Sequence, residues 1–433
     1  VSEENLLAVN AQVVRAADGD ANSVADIQSL VTAANDALAY ILSHTSQNTE
    51  TTTVTATDQI EQYNAAGVIN VNEENLLAVN AQVRLTAQTT DKDSVSDLQA
   101  LVGAADAALA VIENHAQGDA ALATTHYEAV GVLGVTADNL LAVNAQVVRA
   151  VDGAANSVAE IQSLVTDAND ALAYILTNTS QNTDTGAVPA NFQIAEYNAA
   201  GVIGVTEKNL LAVNAQVRLT AETTDKDSVA DLQALVGAAD AALAVIENHV
   251  AGDAALQITD YEAVGVEGVS DDNLLAVNAQ VVRAADGAAD SVADIAALVT
   301  AANSAIAYIR TDIAPLTVTD SIDTATQIEA YNAAGVTGVT ADNLLAVNAQ
   351  VRLVANATDK DSVAELQSLV TDANDALAYI LSHTSQNTTT DTVIAADQIE
   401  QYNSAGVTGV TEENLLAVNA QIRLVTDATL KDG

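Results

Sequence analysis

The nonapeptide NLLAVNAQV is written seven times in this chain, beginning at Asn5, Asn75, Asn139, Asn209, Asn273, Asn343 and Asn414, with one change, Ile422 for Val, in the last copy. A repeat of this fidelity restricts the fold to a tandem array in which one supersecondary unit is copied along the chain. The blocks lie 70, 64, 70, 64, 70 and 71 residues apart, so two module types alternate. One continues VVRAADGDANS (Val13 to Ser23) and the other VRLTAQTTDKDS (Val83 to Ser94). The module at Asn343 joins the loop TDKDS of the second type to the tail ALAYILSHTSQNT of the first, the kind of splice that unequal recombination leaves.

Each unit reads as three helices, which makes the fold class all-α. The block helix opens with a capping residue three positions before its first Asn, at Ser2, Asn72 and Thr136 and their equivalents. Side-chain oxygens there can accept from free first-turn amides. A Val before each cap and a Leu five residues later have the spacing of a hydrophobic staple. The long helix opens at Ser23, Ser94 and Ser157, each followed three residues later by Asp or Glu in capping-box spacing. Apolar residues then recur at 3–4 spacing, as in Val95, Leu98, Val102, Ala105, Leu109 and Ile112. That period describes one buried helical stripe and fits no strand. The short helix, DQIEQYNAAGV at Asp58 and its relatives, ends at a Gly suited to a left-handed backbone.

These periods divide the chain into a partial module at 1–44 and modules at 56–116, 123–178, 190–250, 257–312 and 324–384, with a second partial module at 395–433. The Thr-rich joins near 45–55, 179–189, 313–323 and 385–394 alternate Thr with apolar residues and read as extended chain or short strands. Neighbouring modules of this size are expected to pack on one another and share stability. Both ends fall mid-module, as in a window cut from a longer array.

The pattern AAGVTGVTxxNLLAVNA, followed by a helix of the form S/T-V-x-x-[LI]-x-x-L, resembles the GA and GA-like three-helix modules of bacterial surface proteins. GA-like modules occur in tandem in large secreted adhesins and surface-layer-like proteins, so the resemblance implies a three-helix array at a cell surface. Some GA modules bind serum albumin through their second and third helices. This chain has Leu-Leu in place of the aromatic residues at the start of the second helix, and a longer following loop, so albumin binding is not carried over.

Composition bears on partners. The chain has 433 residues with 13 basic and 58 acidic side chains, for a net charge of -45. Such a surface repels phosphate backbones and anionic lipid, which argues against nucleic acid as a partner. There is no Cys, hence no disulfide and no thiolate metal site. No uninterrupted apolar run approaches the roughly 20 residues of a membrane span, so no membrane insertion is expected within this segment.

Several residue sets invite a functional reading. The second block Asn (Asn10, Asn80, Asn144, Asn214, Asn278, Asn348 and Asn419) falls on or near the packed face, where an amide either reads a ligand or fixes helix register. Fixing helix register is the expected role. Asp18, Asp20 and Asn22 in DGDANS resemble the start of a calcium loop, but the related loops at Asp152 and Asp286 lack the middle Asp. Solvated loop acids are the expectation and calcium the alternative, with no other cofactor. Each block helix ends near an Arg, where the helix dipole and a neighbouring carboxylate would hold it. The Tyr residues of the short helices read as core or inter-module contacts, with a sugar-stacking platform as the alternative. No metal cluster, nucleophile–base pair or phosphate loop can be assembled, so no catalytic residue and no enzyme is expected.

The expected function is that of a non-catalytic repeat region of a bacterial extracellular protein. It would form a stalk, filament or surface layer, with self-association or other cell-surface components as partners. The alternative is a multivalent adhesin module that offers one repeated helical face to a host protein or glycan.

Overall fold

The computed structural model describes residues 1–150, 153–285, 287–316 and 322–425. The loops beginning at Asp152 and Asp286, part of the 313–323 join and the last residues of the chain lie outside the described residues at least in part. The fold is all-helical: 19 α-helices follow one another in the order block, long, short, with no strand among the described residues.

The chain forms two compact units, residues 1–205 with 220–235, and residues 206–219 with 236–433. In the first, block helices Leu6–Arg15, Leu76–Leu85 and Leu140–Arg149 alternate with long helices Val24–Ser43, Val95–Glu113 and Val158–Thr177. Short helices Ala56–Ala65, Thr124–Ala129 and Ala190–Ala199 lie between them in the chain. The second unit repeats this order with block helices Leu210–Leu219, Leu274–Arg283, Leu344–Leu353 and Leu415–Leu424. The division passes through the long helix Val229–Glu247.

Within a module the block helix packs along the long helix. Leu98, Val102, Ala105 and Ile112 of one long helix are buried, as are Leu76, Ala78, Val79 and Val83 of its block helix. Short helices bridge modules: Ala56–Ala65 packs on the preceding Leu6–Arg15 and Val24–Ser43 and also on its own Leu76–Leu85. The turn after each short helix can approach so closely because the facing residues are small. At Gly131 (φ +79) a Cβ would stand 2.7 Å from the Ala81 Cβ, and at Gly335 (φ +75) 2.8 Å from the Leu275 carbonyl oxygen. The Ala of the VNA triplet is therefore part of the inter-module contact.

The long-helix caps form reciprocal boxes. The Ser23, Ser94 and Ser157 hydroxyls accept from the amides of Asp26, Asp97 and Glu160, and those carboxylates accept from the serine amides. At the block helices the sequence reading needs correction. Asn72 does accept from the Glu74 and Asn75 amides, at 2.9 and 3.1 Å. At Ser2 and Thr136 the bond runs the other way: their own amides donate to Oδ1 of the block's first Asn, Asn5 and Asn139, at 2.8 Å. The amide side chain is long enough to close the turn backwards.

The joins also differ from the extended reading. They begin with 3-10 turns, Thr45–Gln47, Thr179–Gln181 and Thr384–Gln386, and continue as bends. Local side-chain bonds compete with strand pairing here. The Ser46 hydroxyl and the Gln47 amide donate to the Leu42 carbonyl, and the Asn48 amide donates to that of Thr45. At the 313–323 join a π-helical turn, Ile309–Ile313, takes the same place.

Three stretches, Val95–Glu113, Val229–Glu247 and Val292–Ile313, are long and apolar enough to cross a membrane by length and composition. The sequence reading missed them because isolated acids such as Asp97 and Asp106 interrupt the run without removing its mean hydropathy. In the fold one stripe of each is buried against neighbouring helices.

Gly131 and Gly103 test the close approach. Gly131→Ala should cost about 1–3 kcal/mol, because it combines a left-handed backbone with a clash. Gly103→Ala, in a long helix with nothing within 4 Å, should instead stabilise by about 0.5–1 kcal/mol. Thermal melts followed by circular dichroism would show the opposite signs; equal effects would contradict the packing argument.

Candidate functional site: the polar side chains of the block

Each polar side chain of NLLAVNAQV has a distinct partner. The first Asn ties the turn to the long helix: Asn75 Nδ2 donates to the Asn70 carbonyl at 2.9 Å and to Asp106 Oδ1 at 2.7 Å. Asn139, Asn273 and Asn343 make the same pair of bonds, to Gly134, Gly268 and Gly338 and to Asn169, Asn303 and Asn374.

The second Asn is bonded to the short helix of its own module. Tyr63 Oη donates to Asn80 Oδ1 at 2.8 Å, and Tyr127, Tyr261, Tyr331 and Tyr402 do the same to Asn144, Asn278, Asn348 and Asn419. On the other side of the amide the two junction types differ. Asn80, Asn348 and Asn419 donate to the side chains of Gln59, Gln327 and Gln398, whereas Asn144 and Asn278 donate to the carbonyls of Leu122 and Leu256. Asn214 is likewise fully buried. Asn10, which has no short helix ahead of it in the sequence, is exposed.

The Gln reaches into the following module. Gln12, Gln82, Gln146, Gln216, Gln280 and Gln350 each donate to the last turn of the next short helix, at the carbonyls of Ala65, Ala129, Ala199, Ala263, Ala333 and Ser404. The distances run from 2.5 to 2.7 Å. A helix C-terminus leaves such carbonyls without intrahelical partners, and the Gln satisfies one.

Sequence reasoning overlooked Gln59 and its equivalents. Gln59 is fully buried and also donates to the Glu50 and Val54 carbonyls, which fastens the join to the short helix. The signal was present as Q-x-x-x-Y in four short helices, a spacing that puts both side chains on one face.

Burial raises the acid constants of Tyr63, Tyr127, Tyr261 and Tyr331 well above the ordinary tyrosine value of 10.0, and raises that of Tyr402. Desolvation dominates; the nearby guanidinium groups of Arg84, Arg352 and Arg423 oppose it at Tyr63, Tyr331 and Tyr402.

Asp18, Asp20 and Asn22 all stand exposed in their loop, with Gly19 at φ +105. Among the described residues no group of three or more His, Asp or Glu side chains could hold a metal ion. An apolar cavity of about 750 Å³ opens beside Leu7, Asn10, Val14 and Ile69. A more polar one of about 490 Å³ lies beside Tyr174, Asn178, Thr179 and Phe192. No protein-family model, curated protein or solved structure matches the chain, so the likeness to GA-like modules stands on its motifs.

Asn80→Ala should leave the Tyr63 hydroxyl and the Gln59 amide oxygen without a partner and cost about 1–3 kcal/mol. Asn10→Ala, on an exposed copy of the same position, should change stability by less than about 0.5 kcal/mol. Equal losses in denaturant titrations would remove the Tyr–Asn bond from the account. The tyrosines also set an alkaline limit. Their folded-state constants are raised, so the neutral phenols stabilise fully below about pH 10 and less as pH rises further, by about 1.4 kcal/mol per pH unit for each group. Phenolate absorbance from the buried set should appear together with loss of helix; titration with helix intact would contradict it.

Proposed function

We propose that this chain is a non-catalytic structural repeat region of a bacterial extracellular protein, forming a rod-like stalk or a self-assembling surface filament or layer. The observation that carries the reading is the destination of the repeated polar side chains. Asn80, Asn144, Asn278, Asn348 and Asn419 are buried against short helices, and the block Gln residues join consecutive modules. What the repeat copies is therefore a joint between helices. The net charge of -45 favours solubility and mutual repulsion of modules. The resemblance to GA-like modules supports a cell-surface setting.

One observation favours the multivalent binder as a second reading. Tyr40, Tyr174, Tyr308 and Tyr379 recur at the same place near the end of the long helix, with between 37% and 47% of each exposed. Tyr40 and Tyr379 stack on His44 and His383 with ring centroids 4.6 Å apart. Repeated weak sites of this kind gain from effective concentration.

Small-angle scattering and electron microscopy, with and without calcium, test the first reading. A compact 433-residue globule would have a radius of gyration of about 22 Å. The stalk or filament reading expects a clearly larger value and single rods, fibres or sheets. A value near the compact one, without assembly, would sink it.

A further inference from the structure

The Arg that ends each block helix occurs in two registers. In the VRL blocks (IRL in the last copy) it lies nine residues after the first Asn (Arg84, Arg218, Arg352, Arg423), and in the VVR blocks ten (Arg15, Arg149, Arg283). One residue on an α-helix turns a side chain by about 100°, and the bonded arginines of the two registers find different partners. Arg84 donates backwards to the Ser46 and Asn48 carbonyls of the preceding 3-10 turn, at 2.6 and 3.0 Å. Arg352 does the same to Ala314 and Leu316 at 2.7 and 2.8 Å, although the turn there is π-helical and its sequence unrelated. Arg423 repeats the contact with Ser385 and Asn387. Arg15 and Arg283 point forwards and pair with Glu61 and Glu329 of the next short helix.

The tails preceding the blocks sort in the same way. TSQN tails, and the IAPL tail that takes their place, precede Arg84, Arg218, Arg352 and Arg423; NHxxGDAAL tails precede Arg149 and Arg283. The second tail needs no Arg. The Asp119 and Asp253 carboxylates accept from the Ala116 and Val250 amides and close its turn, and its Leu122 and Leu256 carbonyls receive the block Asn. The hybrid module is the informative case. It joins a VRL block to a TSQN tail, so strict alternation fails there, yet the next block, Ile422-Arg423-Leu424, again carries its Arg in the earlier register. The splice changed the order of modules and preserved every tail–Arg match.

We propose that the arginine register and the preceding tail form a matched recognition pair that decides which repeats can be neighbours. The unit copied and recombined is then the junction, and either module type can follow any tail that fits its block. This inference concerns recognition within the array and holds whichever function above is correct.

A graft in the full chain tests it. Residues 114–131, ahead of the Arg149 block, are replaced by residues 383–406, a TSQN tail with its short helix. Cleavage by thermolysin inside the graft should be at least about tenfold faster than cleavage of the same segment in its own place, because two charge-assisted bonds are missing. Adding Val148→Arg with Arg149→Leu moves the guanidinium back one residue and should restore protection to within about twofold. The exchange R84L/L85R in the otherwise natural chain should expose the 45–57 join by a similar factor. A graft already protected without the register change, or one that the change leaves unprotected, overturns the proposal.

Discussion

A buried phenol donating to a buried amide organises this fold. Neither the Tyr63 hydroxyl nor the Asn80 side chain can leave water without a partner, since an unsatisfied buried polar group costs on the order of 1–3 kcal/mol. Together they satisfy one another, and they do so only when the short helix lies at one height and one rotation against the block helix. The bond thus selects register, which apolar packing of Ala, Val and Leu selects poorly. Its repetition in Tyr127, Tyr261, Tyr331 and Tyr402 gives these modules the same internal geometry despite their two lengths.

Continuity between modules comes from a second set of contacts. The block Gln closes the end of the following short helix, and the turn glycine lies against the block's small Ala. Each block helix is thereby shared between its own module and the next. With 13 basic residues in 433, the chain also uses its few cations sparingly: several of the arginines are bonded to backbone carbonyls of a join or to a neighbouring carboxylate. The acidic excess is left to face solvent, as it must in a chain that buries so few charges.

Much of this was legible in the letters. The 3–4 spacing of Leu98, Val102, Ala105 and Ile112, the serine caps and the terminal glycines are local signals, and local signals suffice to place helices. The destination of an amide is not local. Asn75 and Asn80 are the same residue five positions apart, yet one is tied to the turn and the long helix and the other to a tyrosine seventeen residues earlier. The destination of Gln59 is equally non-local, although its spacing to Tyr63 is written in the sequence. The joins were misjudged because Thr and Val favour strands only where a partner strand exists; here Ser46, Gln47 and Asn48 bond their own backbone first.

The sequence by itself determined that the chain is a tandem all-α array, where the long helices start, and that two kinds of module are interleaved. Those properties follow from period, capping and repetition, which act over a few residues. Only the tertiary structure decided what NLLAVNAQV is for: one Asn for the long helix, one for the short helix, the Gln for the next module and the Ala for the approach of a glycine. It also decided that a one-residue shift of an Arg exchanges carbonyl partners in the join behind, as at Arg84 and Arg352, for a carboxylate ahead, as at Arg15 and Arg283. Hydrogen bonds are directional, so their partners depend on how whole helices are oriented, and that orientation is set by packing across the modules.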